Sequence, residues 1–309
     1  MSSLARLIYF VVFIGTTPLW AQQEFAQPVA PRTQGPPQQA PRQPFPPLTP
    51  QAQQRIDQLL NAWEASSKQT EQLQCKFTRW EYRPLGASKD VHKTWARGTI
   101  KYRAPAEGMY RVDDILFFTG FDEKHAPKYE RIKGHLGEWW VCNGKELMEF
   151  NRAEKKVEIT ELPPEMQGKE IVSSPLPFVF NLNAQEMKQR YWIREPKMVE
   201  GEFWLEAWPK YQRDRAEFLK VLVILKADQQ QFLPKALIMF PPNHDERDNP
   251  LRDVYEFTDV LRNGSLLGNI KEFFKDFIDV KPPADFKPIR NRYNPPARVA
   301  TGQTPASRQ

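Results

Sequence analysis

The chain is poor in the residues that carry out chemistry. Its 309 residues hold only two cysteines and four histidines. The histidines, His92, His125, His135 and His244, are scattered and show no metal-ligand spacing such as HExxH, which argues against a zinc centre. No glycine-rich run of the dinucleotide or P-loop type is present to cradle a phosphate. In Asn263-Gly264-Ser265 the glycine is adjacent to the serine, whereas a nucleophile elbow needs it two positions away, so the segment reads as a turn. The acidic cluster Asp245-Glu246-Arg247-Asp248 lacks the spacing and central glycine of a calcium loop. Asp113-Asp114 reads as a strand-to-strand turn, and neither Cys75 nor Cys142 has a neighbouring histidine to activate a thiolate. The expectation is a protein that is not an enzyme and uses no cofactor and no metal.

Long hydrophobic runs are also missing. The apolar stretch Leu7 to Ile14 follows Arg6 and ends at Gly15-Thr16-Thr17-Pro18. It falls short of the roughly 20 residues that a spanning helix needs. This is the layout of a secretory signal peptide over residues 1–21, with Ala21 as the last residue before cleavage. The alternative is an uncleaved anchor. An exported chain, periplasmic, extracellular or at the cell surface, is the expectation, with no integral membrane segment after cleavage. In that compartment Cys75 and Cys142 can form a disulfide or remain two buried thiols.

Acidic residues are absent from residues 290–309, and residues 22–48 contain only Glu24. Both segments are rich in Pro, Gln or Arg and have little to bury. They read as a disordered Pro/Gln-rich linker (22–48) and a disordered basic tail (290–309). Of the 44 basic and 38 acidic residues, the core from 51 to 289 keeps 37 of each. The positive balance therefore belongs to the termini, and a nucleic-acid partner for the core is not expected.

What the chain does have is alternation and aromatic residues. Thr49-Pro50 opens an amphipathic helix that places Ile56, Leu59, Leu60 and Trp63 on one face. Leu73, Cys75 and Phe77 alternate with polar residues, as do Ile100 and Tyr102 in Gly98–Arg103. From Glu138 to Leu162 the pattern is an antiparallel meander, with Asn143-Gly144 as a type I′ hairpin turn and Asn151 to Glu154 as a second turn. Asn183 caps a short helix, with Glu186 completing the capping box. Further strands are expected at 191–195, 202–208, 218–226, 233–240 and 253–260, and Val221 to Leu225 is apolar throughout. The fold class is α+β, mainly β: one domain over 49–289, a curved antiparallel half-barrel of about ten strands covered by amphipathic helices.

The order of these parts resembles the LolA-like family of envelope proteins, and most of all its secreted, uncharacterised members. The resemblance is carried by LQCKFTR at Leu73–Arg79, GTIKYRAP at Gly98–Pro105 and NGKELMEF at Asn143–Phe150. It continues through SPLPFVF at Ser174–Phe180, VYEFTDV with NGSL late in the chain, and VKPPADF at Val280–Phe286. The lipoprotein carrier has an arginine directly before the proline of the second motif, where this chain has Ala104 after Arg103. The resemblance implies non-catalytic binding of an acyl chain, from free lipid or lipoprotein, in an apolar cavity. The alternative is a structural or protein-interaction module of the envelope whose cavity is filled by its own side chains. Cavity candidates are Leu73, Phe77, Ile100, Tyr102, Met148, Phe150, Val157, Ile159, Tyr255 and Phe257. Lid candidates are Leu59, Leu60, Trp63, Phe178 and Phe180.

Overall fold

The computed structural model describes residues 42–83, 90–168, 182–227, 232–263 and 280–293. The signal-peptide segment, Phe178 and Phe180 lie outside the described residues. Helix α1 runs over Pro50–Lys68, where the Thr49 hydroxyl accepts a hydrogen bond from the amide of Ala52 and proline occupies the first turn. The residues buried along it are Ile56, Leu59, Leu60, Trp63, Ser66 and Ser67, one stripe at helical spacing. A second helix, α2 (Ala184–Arg190), has the side chain of Asn183 accepting from the amide of Glu186, and a short α3 covers Gln212–Arg215.

Everything else regular among the described residues is strand. In chain order these are β1 (Gln72–Tyr82), β2 (His92–Arg103), β3 (Glu107–Phe121), β4 (Pro127–Glu130), β5 (Trp139–Asn143), β6 (Glu146–Asn151) and β7 (Lys156–Glu161). There follow β8 (Tyr191–Arg194), β9 (Met198–Val199), β10 (Glu202–Pro209), β11 (Lys220–Lys226), β12 (Leu233–Phe240), β13 (Arg252–Arg262) and β14 (Lys287–Asn291). They form one open, curved sheet in the order β14-β7-β6-β5-β3-β2-β1-β13-β12-β11-β10-β8, with β4 on β3 and β9 on β10. Among the described residues fourteen strands stand where about ten were expected, because short strands such as β4 and β9 carry no alternation long enough to read.

Three local expectations are corrected. Asp113-Asp114 does not break the chain: β3 is continuous, and the register slips there, with Arg97 facing Asp114 and Gly98 facing Val112. Asp113 is the extra residue of a β-bulge, held by Arg111 at 2.6 Å and Thr99 at 3.0 Å. Asn143-Gly144 is not a type I′ turn, since positive φ occurs at Gly144 (82°) and not at Asn143. The Asn143 carboxamide instead accepts from the amides of Lys145 and Glu146, at 3.0 and 2.8 Å. The sheet is also not wholly antiparallel. β14 pairs in parallel with β7 and carries the sheet through Arg290 and Asn291, into the segment read as a tail. At the other end, Phe45 within the expected linker is buried beneath the guanidinium of Arg194.

Among the described residues, most buried apolar side chains fall into two clusters, on opposite faces of the sheet. The larger joins α1 to β1, β2, β3, β5, β8, β10, β11, β12 and β13, and defines the inner face. The smaller comprises Met109, Val141, Met148, Phe150, Val157 and Ile159, packed by Trp139, Val280 and Phe286. It lies on the outer face of β3 and β5–β7 beneath the chain segment that leads into β14. β5 thus buries both sides, with Trp140 facing inward and Val141 outward.

Candidate functional site

The inner face beneath α1 brings together Leu73 and Phe77 of β1, Ile100 of β2, and Tyr255 and Phe257 of β13, all buried, with Tyr102 packed at the margin. The lid candidates Leu59, Leu60 and Trp63 belong to the same cluster. Leu60 and Trp63 are 0% and 1% exposed, so helix and sheet are in close apposition. Met148, Phe150, Val157 and Ile159 do not join this wall. They occupy the outer cluster, where Phe150 stacks on Trp139 with ring centres 3.9 Å apart. The ten cavity candidates therefore do not share one wall.

Polar contacts tie α1 down at its flanks. Arg55 donates to Glu195 beyond β8 (3.0 Å from Nη2 to Oε1), Lys188 of α2 pairs with Asp57 (3.2 Å), and Arg262 of β13 donates to the Ser66 hydroxyl (2.7 Å). Arg55 holds Glu195 bidentately, and that carboxylate is 6% exposed, whereas the Lys188–Asp57 pair is partly exposed and contributes on the order of 1 kcal/mol or less. The hold on the helix comes mainly from its apolar stripe.

Cys75 and Cys142 are free, buried thiols. They sit on β1 and β5, three strand spacings apart, or about 14 Å, well beyond the reach of a disulfide. Burial pushes the Cys75 thiol well up, and burial likewise raises Cys142, to about 11.

At the far end of β1 the inner face changes character. Arg79 follows Leu73, Cys75 and Phe77 in the same alternation, and it is 1% exposed. Its Nη1 donates to the Tyr110 hydroxyl (3.2 Å) and to Glu138 Oε1 (3.1 Å), its Nη2 donates to Glu138 Oε2 (3.2 Å), and Glu81 lies 3.3 Å away. Burial works against the charge, but Tyr110, Glu138, Tyr255 and Glu81 outweigh it, and the guanidinium pKa sits well above its ordinary value. Tyr110 stacks on Phe77 (4.8 Å) and on Trp140 (5.7 Å), and Phe77 packs against Tyr255 (6.0 Å). Arg83 and Asp253 add an ion pair at 2.6 Å beside this group. The inner face is thus amphipathic, apolar under α1 and ionic and phenolic at its other end.

No protein-family model matches the chain, and no curated relative matches it. Similar solved structures include an uncharacterized conserved protein from Thermus thermophilus, at 8% identity and TM-score 0.40, covering 77% of this chain and 99% of that one. A LolA superfamily protein from Nitrosomonas europaea is similar at 11% identity and TM-score 0.32, covering 71% and 98%. LprF from Mycobacterium bovis is similar at 7% identity and TM-score 0.28, covering 67% and 93%. These identities and TM-scores are too low to assign an activity to this chain.

Among the described residues, no group of three His, Cys, Asp or Glu side chains could hold a metal ion, and no helix is long and apolar enough to cross a membrane. The feature that sequence reasoning missed is Arg79. Its signal was present, since a charged residue continuing the buried parity of an alternating strand needs a partner on the same face.

Proposed function

We propose that the chain is an exported, non-catalytic protein of the cell envelope that takes up an acyl chain, from free lipid or lipoprotein, between α1 and the inner face of the sheet. The observation that carries this reading is the seam itself: one amphipathic helix buries its apolar stripe on a broad, open, mostly antiparallel sheet and is fixed at its flanks by a few polar contacts. A helix held mainly by apolar contact can exchange that contact for an acyl chain of similar chemistry. Each methylene buried contributes about 0.8 kcal/mol, or about fourfold in affinity. Shape and apolarity do most of the work in such a site, which fits a sequence without a reactive constellation.

A second reading, a structural or interaction module whose interior is filled by its own side chains, is favoured by the near-complete burial of Leu60 and Trp63. Native mass spectrometry of protein purified from its host separates the two. Co-purifying lipid supports the carrier reading. Lipid-free protein that also takes up no added lipid supports the module.

A further inference from the structure

The outer face carries an apolar row that neither core cluster absorbs. Leu116, Trp95, Trp80, Val254, Ile238 and Leu222 stand side by side on β3, β2, β1, β13, β12 and β11, each the cross-strand partner of the next. They alternate with inner-face residues, as Leu222 does between Val221 and Val223, so the row points outward. Adjacent strands are about 4.8 Å apart, which makes the row about 24 Å long. All six residues are half-buried, and none belongs to either cluster. A continuous apolar band on a surface marks a place of contact.

A belt of cations seated on aromatic rings borders the row. Arg252 lies 3.9 Å from the centre of the Tyr82 ring, and Lys220 lies 4.6 Å from Phe240 and 5.1 Å from Trp208. Lys210 lies 5.9 Å from Trp192, and Lys197 lies 3.5 Å from Trp204. Some charge here is already neutralised. Glu206 is held by Arg194 and Lys220, Glu202 by Lys235, and Glu246 reaches Lys220 at 3.8 Å. Lys197, Lys210 and Arg252 have no carboxylate partner among the described residues, although Lys210 donates to the Lys188 carbonyl. Glu256, exposed two residues beyond Val254, offsets one of the three. The belt keeps a positive surplus.

This arrangement restricts the partner. The cations cover the ring faces, so the rings are not free to stack on a sugar or a base. Every strand of the row is paired on both sides, so no backbone edge is offered for strand addition. An apolar band bordered by Trp, Lys and Arg matches a bilayer interface, where indoles sit at headgroup level and cations meet phosphates. We propose that the outer face of β8, β10–β13, β1 and β2 docks on a lipid bilayer surface that carries anionic headgroups. This docking is independent of acyl uptake in the seam, which lies on the opposite face.

The test is flotation of the full chain with phosphatidylcholine vesicles, with and without one quarter phosphatidylglycerol. The two vesicles share their acyl chains, so uptake into the seam is common to both and the difference reads the headgroups. The chain is expected to bind the anionic vesicles at least tenfold tighter, and more weakly as salt rises. A cation near such a surface contributes about fivefold in affinity. The triple variant Lys197→Gln/Lys210→Gln/Arg252→Gln is therefore expected to lose more than tenfold with its thermal midpoint nearly unchanged. The double variant Val254→Thr/Ile238→Thr keeps β-branched side chains, makes the row more polar and is expected to lose about fivefold. Equal binding of both vesicles, or wild-type affinity in either variant, overturns the assignment while the acyl-binding reading stands. So does absence of flotation, and a dimer in ultracentrifugation then gives the face to a second copy of the chain.

Discussion

Replacing Glu149 with glutamine tests the electrostatics of the inner face where the meander meets the main sheet. Glu149 lies on β6, opposite Glu158 on β7 and Trp140 on β5. Burial first, and then the charge of Glu158, raises its carboxyl from an ordinary 4.5 to about 7. A carboxyl raised in the folded state binds more protons than it does in the unfolded chain, so stability falls as pH rises through that window. Its folded form is undisturbed below about pH 4.5, is progressively penalised up to about pH 7, and carries the full penalty above. At 1.36 kcal/mol per pH unit the upper bound is about 3 kcal/mol, and partial solvent screening reduces it to about 1–2 kcal/mol. Glu149→Gln keeps the shape and removes the ionisation. Urea melts at pH 8 are expected to show the variant more stable than wild type by about 1–2 kcal/mol. In thermal melts this is about 2–4 °C per kcal/mol for a domain of this size. At pH 4.5 the difference is expected to vanish. A pH-independent difference, or a variant less stable at pH 8, refutes the argument.

Three further outcomes follow from the packing. A methyl group at Gly98 would lie 2.1 Å from the Arg111 carbonyl oxygen and 2.5 Å from the Phe77 ring, so Gly98→Ala is expected to lower stability by about 2 kcal/mol or more, read as a drop in the urea midpoint. Phe150→Ala opens the outer cluster and not the seam under α1, so it is expected to destabilise by about 3 kcal/mol while leaving the chain-length dependence of lipid binding unchanged. Cys75 and Cys142 are buried and apart, so a thiol reagent is expected to find almost no reactive sulfur in the native protein and two per chain in urea, without prior reduction.

Much of the fold could be read from side-chain period. Alternation at Leu73 to Phe77 and at Ile100 to Tyr102 marks two strands of the inner face, and Thr49 and Asn183 cap the helices as their residue types suggest. What alternation does not carry is which face is which. Met148 and Phe150 share parity with each other, and so do Val157 and Ile159, but only the covering segment from Val280 to Phe286 decides that all four turn outward. That cover is remote in sequence, and so is the partner of β14. The doubly apolar run Trp139 to Cys142 was the local sign that both faces of the meander are buried. Asp113-Asp114 was misread for a related reason. A turn and a bulge favour the same polar residues, and only the register against Arg97 and Gly98 tells them apart. Arg79 was legible in position but not in role, because its partners Tyr110, Glu138 and Tyr255 come from β3, the approach to β5, and β13.

The central claim is that the seam between α1 and the inner face accepts an acyl chain. Calorimetric titration of the full chain with a series of monoacylglycerols of increasing length tests it most directly, each kept below its micellar concentration. The account predicts affinity rising about fourfold per added methylene until the seam is filled, then a plateau, with a negative heat-capacity change throughout. Affinity that does not change with chain length, or no binding at any length, contradicts it and leaves the interior as a core filled by the protein's own side chains.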